Sequence, residues 1–225
     1  MYELMKTVIN QQDLLNQHHS VEGLIIRQEV PDDHRETEEL VREAFFNRYK
    51  PGCDEHYLMH RLRQAPDFLP WHSLVAEYDG AVVGQVMLSP AAIMQDSQAA
   101  IPLLTLGPVC VLPALVGRGV GSALMRAAIA IASHHGARAI LLMGDPGYYQ
   151  RFGFVPAARF HIRLPEAGSQ DAPFFMALPM YQGALDHAAG LFQLSPVFAG
   201  YTEGFDAYDS SFPHRRKLRL PGQLI

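Results

Sequence analysis

The chain has 225 residues, a formal charge of −5 at neutral pH, 48% apolar and 18% charged residues, and no low-complexity tract. Those values suit a globular protein with a substantial core and exclude disordered and fibrous classes. The acidic balance argues against a nucleic-acid partner, and no apolar run reaches the roughly 20 residues needed to cross a bilayer.

The first residues, MYELMKTVINQQDLLNQHH, lack the basic start and apolar core of a secretion signal. Cys53 and Cys110 stand far apart without CxxC spacing. A reducing, cytoplasmic setting is therefore expected. Inside the apolar run VCV, Cys110 reads as a buried thiol rather than a nucleophile.

Residues 1 to about 22 form a polar leader, read as a short helix or a loose arm. A strand follows at Leu24 to Val30 and stops at Pro31 and the Asp32-Asp33 pair. From Glu36 to Phe46, Leu40, Val41, Ala44 and Phe45 recur at helical spacing, and Pro51-Gly52 ends that helix. Asp54 is placed to cap the next one, which continues to about Gln64. Two β-rich runs then flank Asp79-Gly80, a pair suited to the positive φ angles of a type I′ hairpin turn.

A further strand is expected over Thr105 to Val111, then a glycine turn, then a helix from about Gly119 to His134 ended by Gly136. Ala139 to Met143 is a continuous apolar run, as in a central strand covered on both faces. Gly144-Asp-Pro-Gly interrupts it, and Tyr148 to Phe152 fits one or two helical turns. Strand-like runs recur at Phe160 to Leu164 and Phe174 to Leu178. The last stretch carries aromatics, glycines and prolines without clear periodicity.

The glycine turn, Gly117-Arg118-Gly119-Val120-Gly121-Ser122, places bare backbone amides at the start of a helix. Unsatisfied donors and the helix dipole favour an anion there. No lysine lies between Gly117 and Ser122, so the turn is not a nucleotide-hydrolase phosphate loop. The GxGxxG spacing and the following acidic residue of a dinucleotide fingerprint are absent as well. Taken alone, GxGxG is compatible with a tight turn that binds nothing.

Its surroundings are more specific. The order hairpin, strand, proline turn, R-G-x-G-S, long helix, strand, Tyr-Tyr-Gln-Arg-Phe-Gly-Phe resembles the GNAT superfamily of acyl-CoA-dependent N-acetyltransferases, including a bacterial subgroup of predicted acetyltransferases. The similarity covers about residues 24 to 180, and VCVLPALVGRGVGSALM and YYQRFGF carry it. It implies an α/β (α+β) fold in which a central mixed, mostly antiparallel sheet with splayed central strands is flanked by helices. It also implies an acetyltransferase domain over 23–180, an N-terminal extension over 1–22 and a C-terminal extension over 181–225 packed on or continuing the domain.

The resemblance further implies acetyl-CoA as donor, a primary amine of a small molecule or peptide as acceptor, and direct attack without a metal. Val109 and Val111 would bond the pantetheine arm through their backbones. A main-chain N–H near Cys110 or Val111 would polarise the acetyl carbonyl, and residues from Val116 through Gly117, Arg118, Gly119, Val120, Gly121 and Ser122 would receive the pyrophosphate. Val116 departs from the family pattern, which has Gln or Arg there, so its contribution reduces to a backbone N–H. Tyr149 occupies the family's position for the acid that protonates the CoA sulfur, and Tyr148 reads as a packing residue.

The base is less defined. Asp145, four residues before Tyr149, could face the cleft or cap the Tyr148 turn. Glu77 could reach in from the hairpin, and the Asp54-Glu-His-Tyr helix could line the acceptor pocket. His18-His19 and His134-His135 are adjacent pairs, not the i, i+4 arrangement of a helical metal site. The run His214-Arg-Arg-Lys-Leu-Arg reads as a solvated basic tail. The alternative to an enzyme is a CoA-binding regulatory module without transfer activity. A homodimer is compatible with all of these readings.

Overall fold

Alternating apolar positions along the strands divide between the two faces of a single sheet. The computed structural model describes residues 11–16, 21–165, 172–200 and 202–223. Most of the 1–22 leader, with the His18-His19 pair, lies outside them. Among the described residues the strands are β1 (Leu24–Gln28), β2 (Ser73–Tyr78), β3 (Ala81–Met94), β4 (Ala100–Val111), β5 (Ala139–Met143), β6 (Val155–Pro156), β7 (Ile162–Arg163), β8 (Phe175–Pro179) and β9 (Gly190–Leu194). The helices are α1 (Gln11–Asn16), α2 (His34–Phe45), α3 (Glu55–Arg63), α4 (Val120–His134), α5 (Pro146–Tyr149) and α6 (Phe205–Asp209).

The main path of the sheet runs β1-β2-β3-β4-β5-β8-β6, with β9 joining the far half of β3 and β7 pairing with β9. All pairings are antiparallel except β4–β5 and β7–β9. The β2–β3 hairpin turns at Asp79 and Gly80, with φ of 51° and 75°, as the type I′ reading requires.

On one face, α4 packs its alanine-rich surface over Leu74, Val86, Leu104, Ile140 and Leu142. On the other, α2 and α3 cover Val75, Met87 and Cys110, and residues from 155 onward cover Ala139, Leu141 and Phe175. Successive residues of β5 thus enter different clusters, which explains its unbroken apolar run.

Described segments towards both ends of the chain join this framework. Leu15 of α1 is buried in the α4-side core. Asn16 pairs with the backbone of Ile26, its Oδ1 accepting at 2.9 Å and its Nδ2 donating at 3.0 Å. The C-terminal stretch, read as aperiodic, supplies β9 and α6. Local periodicity is too short there to show either, because β9 is defined by its partner Ala91–Met94. The basic segment has exposed side chains and is anchored through its backbone: Asn47 donates to Arg216 O and accepts from Leu218 N–H, each at 3.0 Å.

Candidate active site

β4 is the strand on which the site is built. Its pairing with β3 steps from Val86↔Val109 to Leu88↔Leu106, so Gly107 and Pro108 together stand opposite Met87. This is a bulge, and it accommodates a proline that cannot donate to the ladder. Parallel pairing with β5 is confined to Leu104↔Ile140 and Thr105↔Leu141. Beyond Thr105 the two strands part, while β4 continues to Val111 along β3 alone.

The ladder alternation determines which amides face that opening. Leu112 N–H donates to Val83 O at 2.9 Å. Cys110–Gln85 is therefore the hydrogen-bonded pair, and Val109–Val86 and Val111–Gly84 are the non-bonded ones. The backbone groups of Val109 and Val111 point away from β3, into the gap. The Cys110 amide is committed to Gln85, so of the two carbonyl-polarising donors expected from sequence, only Val111 faces the gap. The Cys110 thiol is buried, and burial pushes its pKa up, consistent with an unreactive group.

The glycine turn follows at the mouth of the gap. Gly117 and Gly119 have φ of 84° and 90°, a left-handed region that side chains with a Cβ rarely adopt. Ala123 N–H donates to Gly119 O at 3.0 Å as the first bond of α4. The amides of Gly119, Val120, Gly121 and Ser122 are thus the orphan donors of the helix start. Two expected contributors are spent instead: Val116 N–H donates to Pro113 O at 3.4 Å and Arg118 N–H to Leu115 O at 3.3 Å. A short 3-10 turn at Pro113–Leu115 takes up those amides.

The two tyrosines divide differently from the sequence reading. The Tyr148 hydroxyl faces Ser122 and lies 3.0 Å from where a Cβ on Gly121 would sit. It therefore belongs to the helix-start site and not merely to packing. Arg151 stacks 4.8 Å from its ring centroid, bringing positive charge to the same end. The approach of Tyr148 to Ser122 has no spacing signature that sequence could have revealed. Tyr149 packs its ring against Gly144 at the end of β5 and meets Phe154 edge-on at 5.9 Å. Burial raises its pKa, so the phenol stays protonated through the neutral range.

The carboxylates expected as bases are engaged elsewhere. Asp145 Oδ1 accepts from Gly147 N–H at 2.9 Å and caps α5. Glu77 lies on β2, with β3 between it and β4, and forms an ion pair with Arg27 at 2.8 Å. The structure brings Val111 and Tyr148 to the glycine turn at Gly121, with Tyr149 beside Tyr148, and it does not bring Glu77 there. Among the described residues, no group of three or more His, Cys, Asp or Glu is arranged to hold a metal, and no helix is long and apolar enough to cross a membrane.

An open sheet with two parted central strands and an anion-accepting helix start beside the opening defines an acyltransferase of the CoA-using kind. The Acetyltransferase (GNAT) family model matches residues 35–154, and the chain belongs to that family. It is similar to the uncharacterized N-acetyltransferase YhbS of Escherichia coli, with 27% identity over 175 residues covering 78% of this chain and 98% of YhbS. The crystal structure of YhbS in complex with CoA superposes with a TM-score of 0.69, covering 80% of this chain and 96% of the other. A GNAT family acetyltransferase from Brucella melitensis, solved with acetyl-CoA, is 32% identical with a TM-score of 0.62, covering 78% and 97%. The protein is an acetyltransferase enzyme by these relationships.

Proposed function

We propose that the enzyme moves the acetyl group of acetyl-CoA to a primary amine by direct attack, the donor lying between β4 and β5. The observation that carries this reading is the outward-facing backbone of Val109 and Val111 beside the orphan amides of Gly119 to Ser122. These are complementary to an extended amide-bearing arm and to the pyrophosphate at its end. The relatives solved with CoA and acetyl-CoA support the same donor.

When bound, acetyl-CoA supplies the activated thioester. Val111 N–H is placed to stabilise negative charge on the acetyl oxygen, because it faces the gap and has no partner in β3. Tyr149 is placed to protonate the departing sulfur, and its raised pKa keeps the proton available. Gly117 and Gly119 leave the anion free access to the backbone, and Tyr148 closes over Gly121 and Ser122. Residues 23–180 would carry this chemistry, with the segments before and after packed onto them.

The test is acetyl-CoA binding by calorimetry, followed by free-thiol release with a panel of amines, polyamines, aminoglycosides and peptides. Gly119→Glu puts bulk and negative charge at the helix start in a backbone region hostile to a Cβ. Its affinity for acetyl-CoA should fall by at least 100-fold. Normal affinity in that variant would refute the placement.

A further inference from the structure

The N-terminal segment, expected from its sequence to be a helix or a loose arm, is fastened to the fold at two places. One is the edge of the sheet, where α1 lies along β1. Asn16 Oδ1 accepts from Ile26 N–H at 2.9 Å, and Asn16 Nδ2 and Gln12 Nε2 donate to Ile26 O at 3.0 and 2.7 Å. Side chains thus take the backbone groups that an edge strand otherwise leaves unpaired. Leu15 seats the same helix in the core beneath α4.

The other place is the glycine turn. Val21 Cγ2 lies 3.2 Å from where a Cβ on Gly119 would sit, so the valine methyl packs against the Gly119 backbone. Val21 O accepts from Leu24 N–H at 3.3 Å, in a turn that passes through Gly23 at φ 74° and leads into β1. Its side chain packs on the same apolar cluster as Leu15, Val120 and Leu124. At Gly121 the equivalent position lies 3.0 Å from the Tyr148 hydroxyl and 3.5 Å from Val111 Cγ2. Among the described residues, nothing lies within 4 Å of the equivalent position at Gly117. The turn is therefore held at Gly119 by the N-terminal segment, held at Gly121 by the cleft, and open at Gly117.

This support matters because of what the turn is made of. Glycine loses more conformational freedom on ordering than any other residue, so the backbone carrying the orphan amides has little stiffness of its own. Amides that a ligand must first order bind it less tightly than amides already in place. A valine methyl offers no hydrogen bond to an anion, so Val21 acts on the donor only through the position of Gly119.

We infer that Val21 is a positioning residue for the donor site: seated by α1 against Gly119, it fixes the direction of the Gly119 to Ser122 amides, and the N-terminal segment thereby sets affinity for the pyrophosphate of acetyl-CoA. This inference rests on the acetyl-donor reading above and adds to it an element that lies outside the 35–154 family match. Val111 and Tyr149, which serve the acetyl end, stand on other elements. Losing the support should accordingly weaken donor binding and leave the chemical step intact.

The experiment compares the full chain with Val21→Ala, Val21→Ile and Asn16→Ala. The donors are acetyl-CoA and S-acetylpantetheine, which lacks the pyrophosphate, and the acceptor is whichever amine of the panel above turns over fastest. Val21→Ala should weaken calorimetric acetyl-CoA binding about tenfold, with kcat at saturating donor within about twofold of wild type. Its kcat/KM for S-acetylpantetheine should also stay within about twofold, because that donor does not reach the turn. Asn16→Ala unfastens α1 from Ile26 and should give the same split between donors. Val21→Ile keeps the Cγ2 methyl and should retain wild-type affinity. An equal loss with both donors, or unchanged acetyl-CoA affinity in Val21→Ala and Asn16→Ala, would overturn the inference; so would a lowered Tm with normal binding, which marks a residue serving stability alone. Failure of wild type to bind acetyl-CoA would instead overturn the donor reading.

Discussion

Tyr148 and Tyr149 are adjacent, yet one hydroxyl lies over Gly121 at the start of α4 and the other ring lies against the end of β5. A short helix beginning at Pro146 sends neighbouring side chains in directions about 100° apart, so the two serve different parts of one cleft. If Tyr149 protonates the leaving sulfur, Tyr149→Phe should lower turnover by about 100-fold. Its ring contacts with Gly144 and Phe154 would survive, so acetyl-CoA affinity and Tm should stay near wild type. Stopped-flow turnover beside calorimetric binding separates these effects, and unchanged turnover would remove Tyr149 from the mechanism. At this scale YYQRFGF was legible through its family resemblance, whereas the Tyr148–Ser122 contact was not, since it joins residues brought together by two different helices.

At the scale of elements, α2 and α3 are held by a polar network that hydrophobic periodicity does not show. Arg63 pairs with Glu29 at 2.5 Å and with Glu38 at 2.8 Å, and all three side chains are buried. Thr37 and Ser73 donate to Glu29 at 2.8 and 2.6 Å. The cluster joins α2, α3 and the ends of β1 and β2. Removing the guanidinium would leave two buried carboxylates uncompensated. Arg63→Ala should therefore cost about 3–5 kcal/mol, seen as a lower urea midpoint. The predicted helices at 36–46 and 54–64 agree closely with α2 and α3, because Leu40, Val41 and Leu62 mark their apolar faces. Asp54 departs from its expected role: it precedes α3 without a side-chain capping bond and turns to Lys50.

Across the whole molecule, the C-terminal segment closes over α2 and α3. Arg42 donates to Asp209 at 2.8 Å and to Pro213 O at 3.0 Å, and the His56 ring lies among Phe205, Tyr208 and Phe212. This docking withdraws His56 from water, as the turn before β2 withdraws His72, and burial pushes both pKa values down to about 4. Unfolded histidine titrates near 6.5, so the unfolded chain binds more protons between about pH 4 and 6.5. Stability is then fully present above that window and lost as pH falls through it, on the order of 3 kcal/mol per histidine. Tm measured from pH 7 to pH 4 should fall accordingly, and His72→Leu should flatten the slope. A flat wild-type profile would contradict this account.

Local order along the chain already determined the hairpin at Asp79-Gly80, the glycine turn, the long helix after it and the apolar strand β5. Each depends on backbone preference or on side-chain period over a few neighbouring residues. Only the tertiary structure decided which amides remain free, because that depends on the β3–β4 register and on the turn that takes up Val116 and Arg118. It likewise decided that Glu77 is occupied by an ion pair and Asp145 by a helix cap. A carboxylate's role depends on charges and burial supplied by distant segments, and spacing along one chain does not encode those distances.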